Sequence, residues 1–588
     1  MTVPFKFASC NTASTSHLDD NFSYFDKIAQ KNYASLDLAF ADAALGNISL
    51  NSNVTIAGEI YNYYGKYFRD TGGKYYFNYL PGYAVVGASM GAHGSTSYGF
   101  SGTYTGTYSV PSVGSKSATF SFSISGQTTS VPNVSIGQRI YMGGANQSEF
   151  NGCFVVTGIS TTTVANDTIA FTLAKAATVT TPTSVSANVF ITMNAMQQVN
   201  DLNFWCVGEA IASAARGSKV MRYLGNYSVT GSTSTMHTTF VADALNPANN
   251  DYGLVPDFVM LDTGGNDVLS LATFTPAGVA ALLATMKTNV TVLINMIIAA
   301  GSIPVVGSLP PFAHTAGSYN MAMRVLGEQF NQWLAYLANQ NTIIFNNTNP
   351  SLTDQTSSYL DYVSTYSFDG IHPVKLGAYV MGKTTATNLF ANIIGKDTRL
   401  GADISPNPQF LVTSGGTLSG ATGAAVGGVT LTGGNTATVV GAVNGIANNG
   451  SGIGQNIAFT ASATSDWVGL SAQLSGSVTA GDKIYFQVKI HQLDAAAVAN
   501  LQAVVVAIFC TVNGIAQSIS LPAISASINT LNNGDFPNPI DFLFETPLYV
   551  VPANTTSLQP FVRFIAAGIM TTANLVISNF VVKKWTGN

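Results

Sequence analysis

Between Phe204 and Ile394 short apolar runs alternate with stretches in which apolar residues return at helical spacing. The runs Phe258-Val-Met-Leu261, Ile303-Pro-Val-Val306 and Thr342-Ile-Ile-Phe345 predict buried strands. Phe204, Trp205, Val207, Ile211, Ala212 and Ala215 predict a helix, as do Gly278 to Ala300, with Pro276 just before it, and Tyr319 to Asn339. Such alternation predicts an α/β domain with a mainly parallel sheet. Upstream, Tyr83-Ala-Val-Val is a further buried strand that runs into a tight turn at Gly87-Ala88-Ser89. From Thr103 to about Met193 Tyr, Thr, Ser and Phe alternate with frequent Gly, which predicts short strands and an inserted small β-barrel or sandwich. Beyond Pro406, segments such as Lys483 to Lys489, Val504 to Phe509 and Leu575 to Val582 alternate in the same way and predict a β-sandwich of the jelly-roll kind. The Gly-rich stretch from Ser414 to Gly454 carries enough Val, Leu and Thr to read as short strands with turns. From Leu18 to Leu45 the spacing of Phe22, Phe25, Ile28, Tyr33 and Leu36, after Asp19 and Asp20, predicts a helical N-terminal region.

A chain of 588 residues exceeds what one core usually supports. The pattern divides it into a helical N-terminal region at 1–80, an α/β domain at 81–97 and 198–400, an inserted β-module at 98–197 and a C-terminal β-sandwich at 401–588. Charged residues make up 9% and the net charge is -5, so the basic field of a nucleic-acid binder is missing. The apolar stretch Val290 to Leu309 is broken by Gly301, Ser302 and Pro304, and reads as a buried helix followed by a buried strand rather than a membrane span. The first residues lack the apolar core of a cleaved signal. Cys10, Cys153, Cys206 and Cys510 lie far apart with no C-x-x-C pair, and are expected to be free thiols.

Four phrases carry candidate chemistry. Asp369-Gly-Ile-His372-Pro373 places a carboxylate three residues before an imidazole at an expected helix start, so that Asp369 can fix the tautomer of His372. Alone, the phrase also suits a surface Asp with a capping His. Leu261-Asp-Thr-Gly-Gly-Asn266-Asp267 follows an expected strand and offers the Asn266 amide as an oxyanion donor, or is simply a Gly-Asn turn. Tyr227-Ser-Val-Thr-Gly231 offers a backbone N–H as a second donor. Ser89 ends the Ala84-Val-Val strand.

In chain order these phrases resemble the four blocks of the SGNH (GDSL-like) hydrolase family, over about Tyr83 to Gly395 apart from the insertion. The resemblance implies a flavodoxin-like α/β fold and a serine esterase. It makes Ser89 the nucleophile, Asp369 and His372 the rest of the triad, and Ser89 N–H, Gly231 and Asn266 the oxyanion hole. The first block departs from the family, with Ala88 in place of its Asp, and Ser95 and Ser97 are competing nucleophiles. Asp267 is expected to hold its loop. His17, His93, His237, His314 and His491 are read as surface residues, with His93 and His314 able to line a cleft. Gly377-Ala-Tyr-Val-Met-Gly-Lys-Thr384 fits the P-loop pattern, but lies within an expected helix. No cofactor and no metal-ligand constellation is expected.

Pro4-Phe-Lys-Phe7 and His17-Leu-Asp-Asp-Asn-Phe22 resemble the opening of many bacteriophage tail proteins. That second resemblance implies a tail spike or fibre on the virion, a homotrimer, and contacts with tail or baseplate proteins. Joined to the first, it implies deacetylation of a host capsule or O-antigen, with the polar-aromatic segment Tyr98 to Tyr108 as a sugar-stacking surface. The alternatives are a non-catalytic glycan-binding adhesin, favoured by Ala88, and a free-standing lipase, which would call for a secretion signal and an apolar lid.

Overall fold

The computed structural model describes residues 31–88, 90, 103–123, 135–163, 166–183, 191–194, 203–229, 231–313, 320–367, 369–373, 375–445, 453–474, 476–493, 501–525, 540–566 and 568–587. The chain divides into two units, one of residues 1–80 with 391–398, the other of 81–390 with 399–588. In the first, Ser35 caps the helix Leu36–Ala44 by accepting from the Leu38 N–H. The rest of its described part is a six-stranded sheet, five short strands between Asn32 and Tyr76 and, at one edge, Ile393–Ile394 alongside Tyr75–Tyr76. Of the helix expected from Leu18 to Leu45, Leu36–Ala44 is helical and residues 18–30 lie outside the described residues, whereas the expectation that the whole region is helical is corrected by the strands between Asn53 and Tyr76. Val54 and Ile56 alternate with polar neighbours, and Tyr61 meets Tyr76 across the sheet at 5.3 Å, a pattern that suits strands. The return of residues 391–398 to this unit also moves the expected boundary at 400.

In the second unit, five short strands form one sheet: β1 (Gly82–Gly87), β2 (Arg222–Asn226), β3 (Phe258–Asp262), β4 (Ile303–Gly307) and β5 (Ile344–Asn346), of which β1, β3 and β4 are largely apolar. The order is β2-β1-β3-β4-β5 and every pairing is parallel, with Val85 opposite Met260 and Met260 opposite Val305. Both β1 and β3 are buried at every residue, as a sheet covered on both faces requires. Alternate residues Ala84, Val86, Val259 and Leu261 join a core with α2 (His237–Leu245), Val268 of the short α3 (Gly265–Leu269), α4 (Pro276–Ala299) and α5 (Met321–Asn339). On the other face Tyr83 reaches Cys206 of α1 (Phe204–Arg216), which packs on α6 (Lys375–Asn388). Among the described residues α4 alone has the length and hydropathy of a membrane span, and its stripe of Met286, Val290, Leu293, Ile294 and Ile297 is buried in that core. A parallel sheet in this order gathers its functional loops at the strands' C-terminal ends.

Between β1 and α1 the chain closes a six-stranded barrel from strands between Thr103 and Asn194. Tyr108 is 2% exposed and packs edge-on to Phe150 at 4.2 Å inside it, so the idea of a sugar-stacking role for Tyr108 is corrected: its ring fills the barrel core. Beyond residue 399, an eight-stranded and a six-stranded sheet share one core, with Phe459 and Ile484 from the first meeting Val468 and Val506 from the second. Val207 of α1 and Tyr379 of α6 extend that core to the helices of the α/β layer. Strands at Thr417–Ser419, Thr422–Gly423, Val429–Gly434 and Thr438–Gly445 run through the Gly-rich stretch. Cys153, Cys206 and Cys510 are thiols outside any disulfide, Cys510 Sγ lying 3.8 Å from the Tyr549 hydroxyl, and Cys10 lies outside the described residues.

Candidate active site

β1 ends at Gly87, where the chain passes so close to β3 that an added Cβ would stand 2.5 Å from the Asp262 carbonyl oxygen. The Ala88 N–H donates to that same carbonyl at 3.1 Å. Ser89 lies outside the described residues, as do Ser95 and Ser97, but Ala88 and Met90 on either side of position 89 both line a cleft of about 380 Å³. Asn266 and His372 line the same cleft, whose walls include Leu269, Leu309, Phe312 and Ile371.

The D-x-x-H segment is a turn ahead of α6, not its first turn as expected. Pro373 bridges back to Ser367, and the helix begins at Lys375. Within the turn Asp369 Oδ1 accepts from the Ile371 and His372 N–H groups at 2.9 and 2.8 Å, while Asp369 Oδ2 meets His372 Nδ1 at 2.8 Å. Ser367 tightens the turn by donating to the His372 carbonyl and accepting from the Gly370 N–H, each at 2.8 Å. Burial pushes the Asp369 carboxyl upward, but the hydrogen bonds from the His372 ring and from backbone N–H groups outweigh it and hold Asp369 below the usual carboxylate range. An ionised Asp369 keeps Nδ1 protonated and leaves proton transfer to Nε2.

Gly231 sits at φ +79, which favours glycine, on the loop after β2. The Asn266 side-chain amide donates to the Ser232 carbonyl at 2.8 Å, which orients the amide and ties the loops after β2 and β3 together. An amide nitrogen has two hydrogens, so a second donor remains for a ligand. Asp267 holds its neighbourhood by accepting from the Ser234 N–H at 2.9 Å and from the Ser234 hydroxyl at 2.6 Å. The structure thus brings Asn266, His372 and the flanks of position 89 to one cleft, with Asp369 behind His372; Gly231 is not among the residues that line it.

Two histidines differ from expectation. His237 is fully buried at the start of α2, where its Nε2 meets Ser232 Oγ at 2.8 Å and its Nδ1 meets Thr263 Oγ1 at 2.9 Å. Burial lowers its pKa to about 3. Its Thr- and Ser-rich flank from Thr230 to Thr235 reads as a loop, and the signal that could have found the helix is the recurrence of Phe240, Val241 and Ala244. His491 is also buried, with Nε2 2.6 Å from Ser578 Oγ, because the strand Lys483–Leu493 is covered on both faces. His17, His93 and His314 lie outside the described residues. Gly377 to Thr384 is interior to α6, and a Cβ on Gly377 would stand 2.2 Å from the Tyr366 carbonyl, so no phosphate loop exists there. Among the described residues no cluster of three or more His, Cys, Asp or Glu is placed to hold a metal.

The model of the GDSL-like lipase/acylhydrolase family matches residues 166–384. This stretch of the chain, rather than the chain as a whole, is thus similar to a GDSL-like (SGNH) hydrolase domain. The match starts inside the barrel, so β1 and position 89 lie upstream of it. No curated protein matches the chain. Similar solved structures include a lipolytic protein of the G-D-S-L family from Desulfitobacterium hafniense, at 16% identity, covering 31% of this chain and 87% of that one with a TM-score of 0.23. A GDSL-like lipase from Bacteroides thetaiotaomicron is 18% identical over 31% of this chain and 80% of that one, with a TM-score of 0.24. A catalytic mutant of an acetylxylan esterase from Geobacillus stearothermophilus is 16% identical over 32% and 80%, with a TM-score of 0.25.

Proposed function

We propose that the hydrolase domain is a serine esterase working through an acyl-enzyme, with Ser89 as nucleophile, His372 as general base and Asp369 as its orienting carboxylate. The observation that carries this reading is the 2.8 Å contact between Asp369 Oδ2 and His372 Nδ1 beside a cleft shared by Asn266 and both neighbours of position 89. His372 Nε2 takes the Ser89 hydroxyl proton as the hydroxyl oxygen attacks the ester carbonyl, then returns it to the departing alcohol. Ser89 N–H and the second Asn266 amide hydrogen receive the oxyanion, and Gly231 N–H, which the family resemblance adds as a third donor, would have to reach it from the loop behind the cleft lining. Water then attacks the acyl-enzyme by the same route in reverse. The apolar walls formed by Leu309, Phe312 and Ile371 suit a small acyl group, and acetyl is the one proposed.

The proposed substrate is an acetylated bacterial surface polysaccharide, met by a homotrimeric phage tail spike or fibre on the virion. The phage-like opening of the sequence supports this setting, and so do the added β-modules. In the expected outcome Ser89→Ala and His372→Ala each lower turnover of p-nitrophenyl acetate by roughly 10^3- to 10^6-fold, and incubated capsule releases acetate detectable by NMR. Ala88, where the family carries Asp, favours a second reading as a non-catalytic glycan adhesin. Wild-type protein that is inactive on both substrates yet retained on immobilised capsule would establish that reading instead.

A further inference from the structure

Three loops must keep their places for the oxyanion hole to work: those after β1, β2 and β3. One buried imidazole touches the loops after β2 and β3 directly, and through Ser232 it is linked to Gly87 at the end of β1. His237 meets Ser232 Oγ through Nε2 at 2.8 Å and Thr263 Oγ1 through Nδ1 at 2.9 Å. Ser232, the residue after Gly231, donates its hydroxyl to the Val229 carbonyl at 2.7 Å, with the Gly87 carbonyl at 3.2 Å. Its own carbonyl receives the Asn266 amide. Thr263 directly follows β3 and lies three residues before Asn266.

The donors and acceptors close in one arrangement. The Ser232 hydroxyl hydrogen goes to a backbone carbonyl, so Ser232 Oγ receives Nε2–H. Nδ1 is then the lone-pair nitrogen and accepts from the Thr263 hydroxyl, an assignment made from the partners. The ring lies 5.8 Å from that of Phe240, and it is 0% exposed, so substrate does not meet it.

We propose that His237 is a positioning residue of the esterase, whose imidazole locks the Gly87, Gly231–Ser232 and Thr263–Asn266 segments so that the oxyanion donors converge. This rests on the esterase reading above. A hydrogen-bond network that is complete in its donors and acceptors holds its members more rigidly than the same contacts taken singly. Catalytic donors need that kind of support from behind.

The test is steady-state hydrolysis of p-nitrophenyl acetate by the full chain and its Ser89→Ala, His237→Ala, His237→Gln and Thr263→Val variants. Phenylboronic acid, which forms a tetrahedral adduct on a serine nucleophile, is titrated in parallel. His237→Ala and Thr263→Val are expected to lower kcat roughly tenfold to a hundredfold, short of the loss of an oxyanion donor outright, with KM little changed. Boronate binding weakens in step, because the adduct uses the same donors. His237→Gln, which keeps an amide N–H, recovers part of kcat. Thr263→Val preserves volume and carries the comparison if His237→Ala does not fold. Unchanged kcat and boronate affinity in folded His237 and Thr263 variants, even with a lower thermal midpoint, overturn the proposal. Inactive wild type, or Ser89→Ala as active as wild type, removes the esterase reading and the proposal with it. That failure shows in the wild type and the Ser89 variant alone, so the two are told apart.

Discussion

Ser232, His237 and Thr263 are each no more than 1% exposed, yet their side chains are joined in one hydrogen-bonded chain with the imidazole at its centre. A buried polar group in such a network avoids the cost of desolvation without a partner. The imidazole has a pH consequence. Burial lowers His237 from the ordinary value of 6.5 to about 3, so the unfolded chain takes up a proton in that window that the native chain does not. Stability therefore rises with pH across it, and is lost progressively as pH falls from about 6.5 toward 3. A tenfold change in proton affinity between the folded and unfolded chain is worth ~1.4 kcal/mol, so the full effect is on the order of a few kcal/mol. Asp369, held below its ordinary value, adds a loss of the same sign at lower pH. Urea midpoints measured from pH 7 to pH 4 should fall more steeply in wild type than in His237→Gln, and equal slopes would contradict this account.

At the level of elements, the loops that follow β1 and β3 depend on close backbone approach. Gly87→Ala would push a methyl against the Asp262 carbonyl, at 2.5 Å, and the strand end must shift to relieve it. The expected result is a folded protein with esterase activity reduced at least tenfold, since a small displacement of the nucleophile turn misaligns attack. Asn266→Ala should lower kcat by about 10^2- to 10^3-fold with modest change in KM. Strands and long helices were legible where local pattern and environment agree: Phe258–Asp262 and Ile303–Gly307 are apolar because both faces of the sheet are covered, and Pro276 starts α4 with Thr275 as its cap. The helix α2 was not legible. Its sequence, His-Thr-Thr-Phe-Val-Ala-Asp-Ala-Leu, opens on polar and β-branched residues of weak helix propensity. Tertiary packing of Phe240 and Val241 overrides that preference.

On the scale of the whole second unit, the inserted barrel is bound to the α/β layer by part-buried polar contacts. Tyr141 of the barrel donates to Asp243 of α2 at 2.9 Å, and its ring meets those of Tyr227 and Phe240 at 5.4 and 5.6 Å. Arg139 pairs with Asp251 at 2.7 Å, and Lys483 of the sandwich donates to the Asp251 carbonyl. Burial pushes the Asp251 carboxyl upward, against the pull of Arg139. Removing the guanidinium leaves that carboxyl buried without its cation, so Arg139→Met should cost about 3 kcal/mol of stability and lower the thermal midpoint. Its kcat below the transition should stay at the wild-type value; a midpoint unmoved by calorimetry would show that the pair adds nothing.

Residue types and spacing by themselves determined the α/β alternation, the β-rich insertion and tail, and the ordered phrases around Gly231, Asn266 and Asp369 to His372, because each follows from local periodicity or from side-chain chemistry a few residues apart. Tertiary structure alone decided that His237 is buried and hydrogen-bonded, that Tyr108 fills a core, and that residues 391–398 return to the N-terminal sheet. Those outcomes depend on contacts between segments far apart in the chain, such as His237 with Thr263 or Ile394 with Tyr76, and no local pattern encodes which distant partner will cover a given side chain.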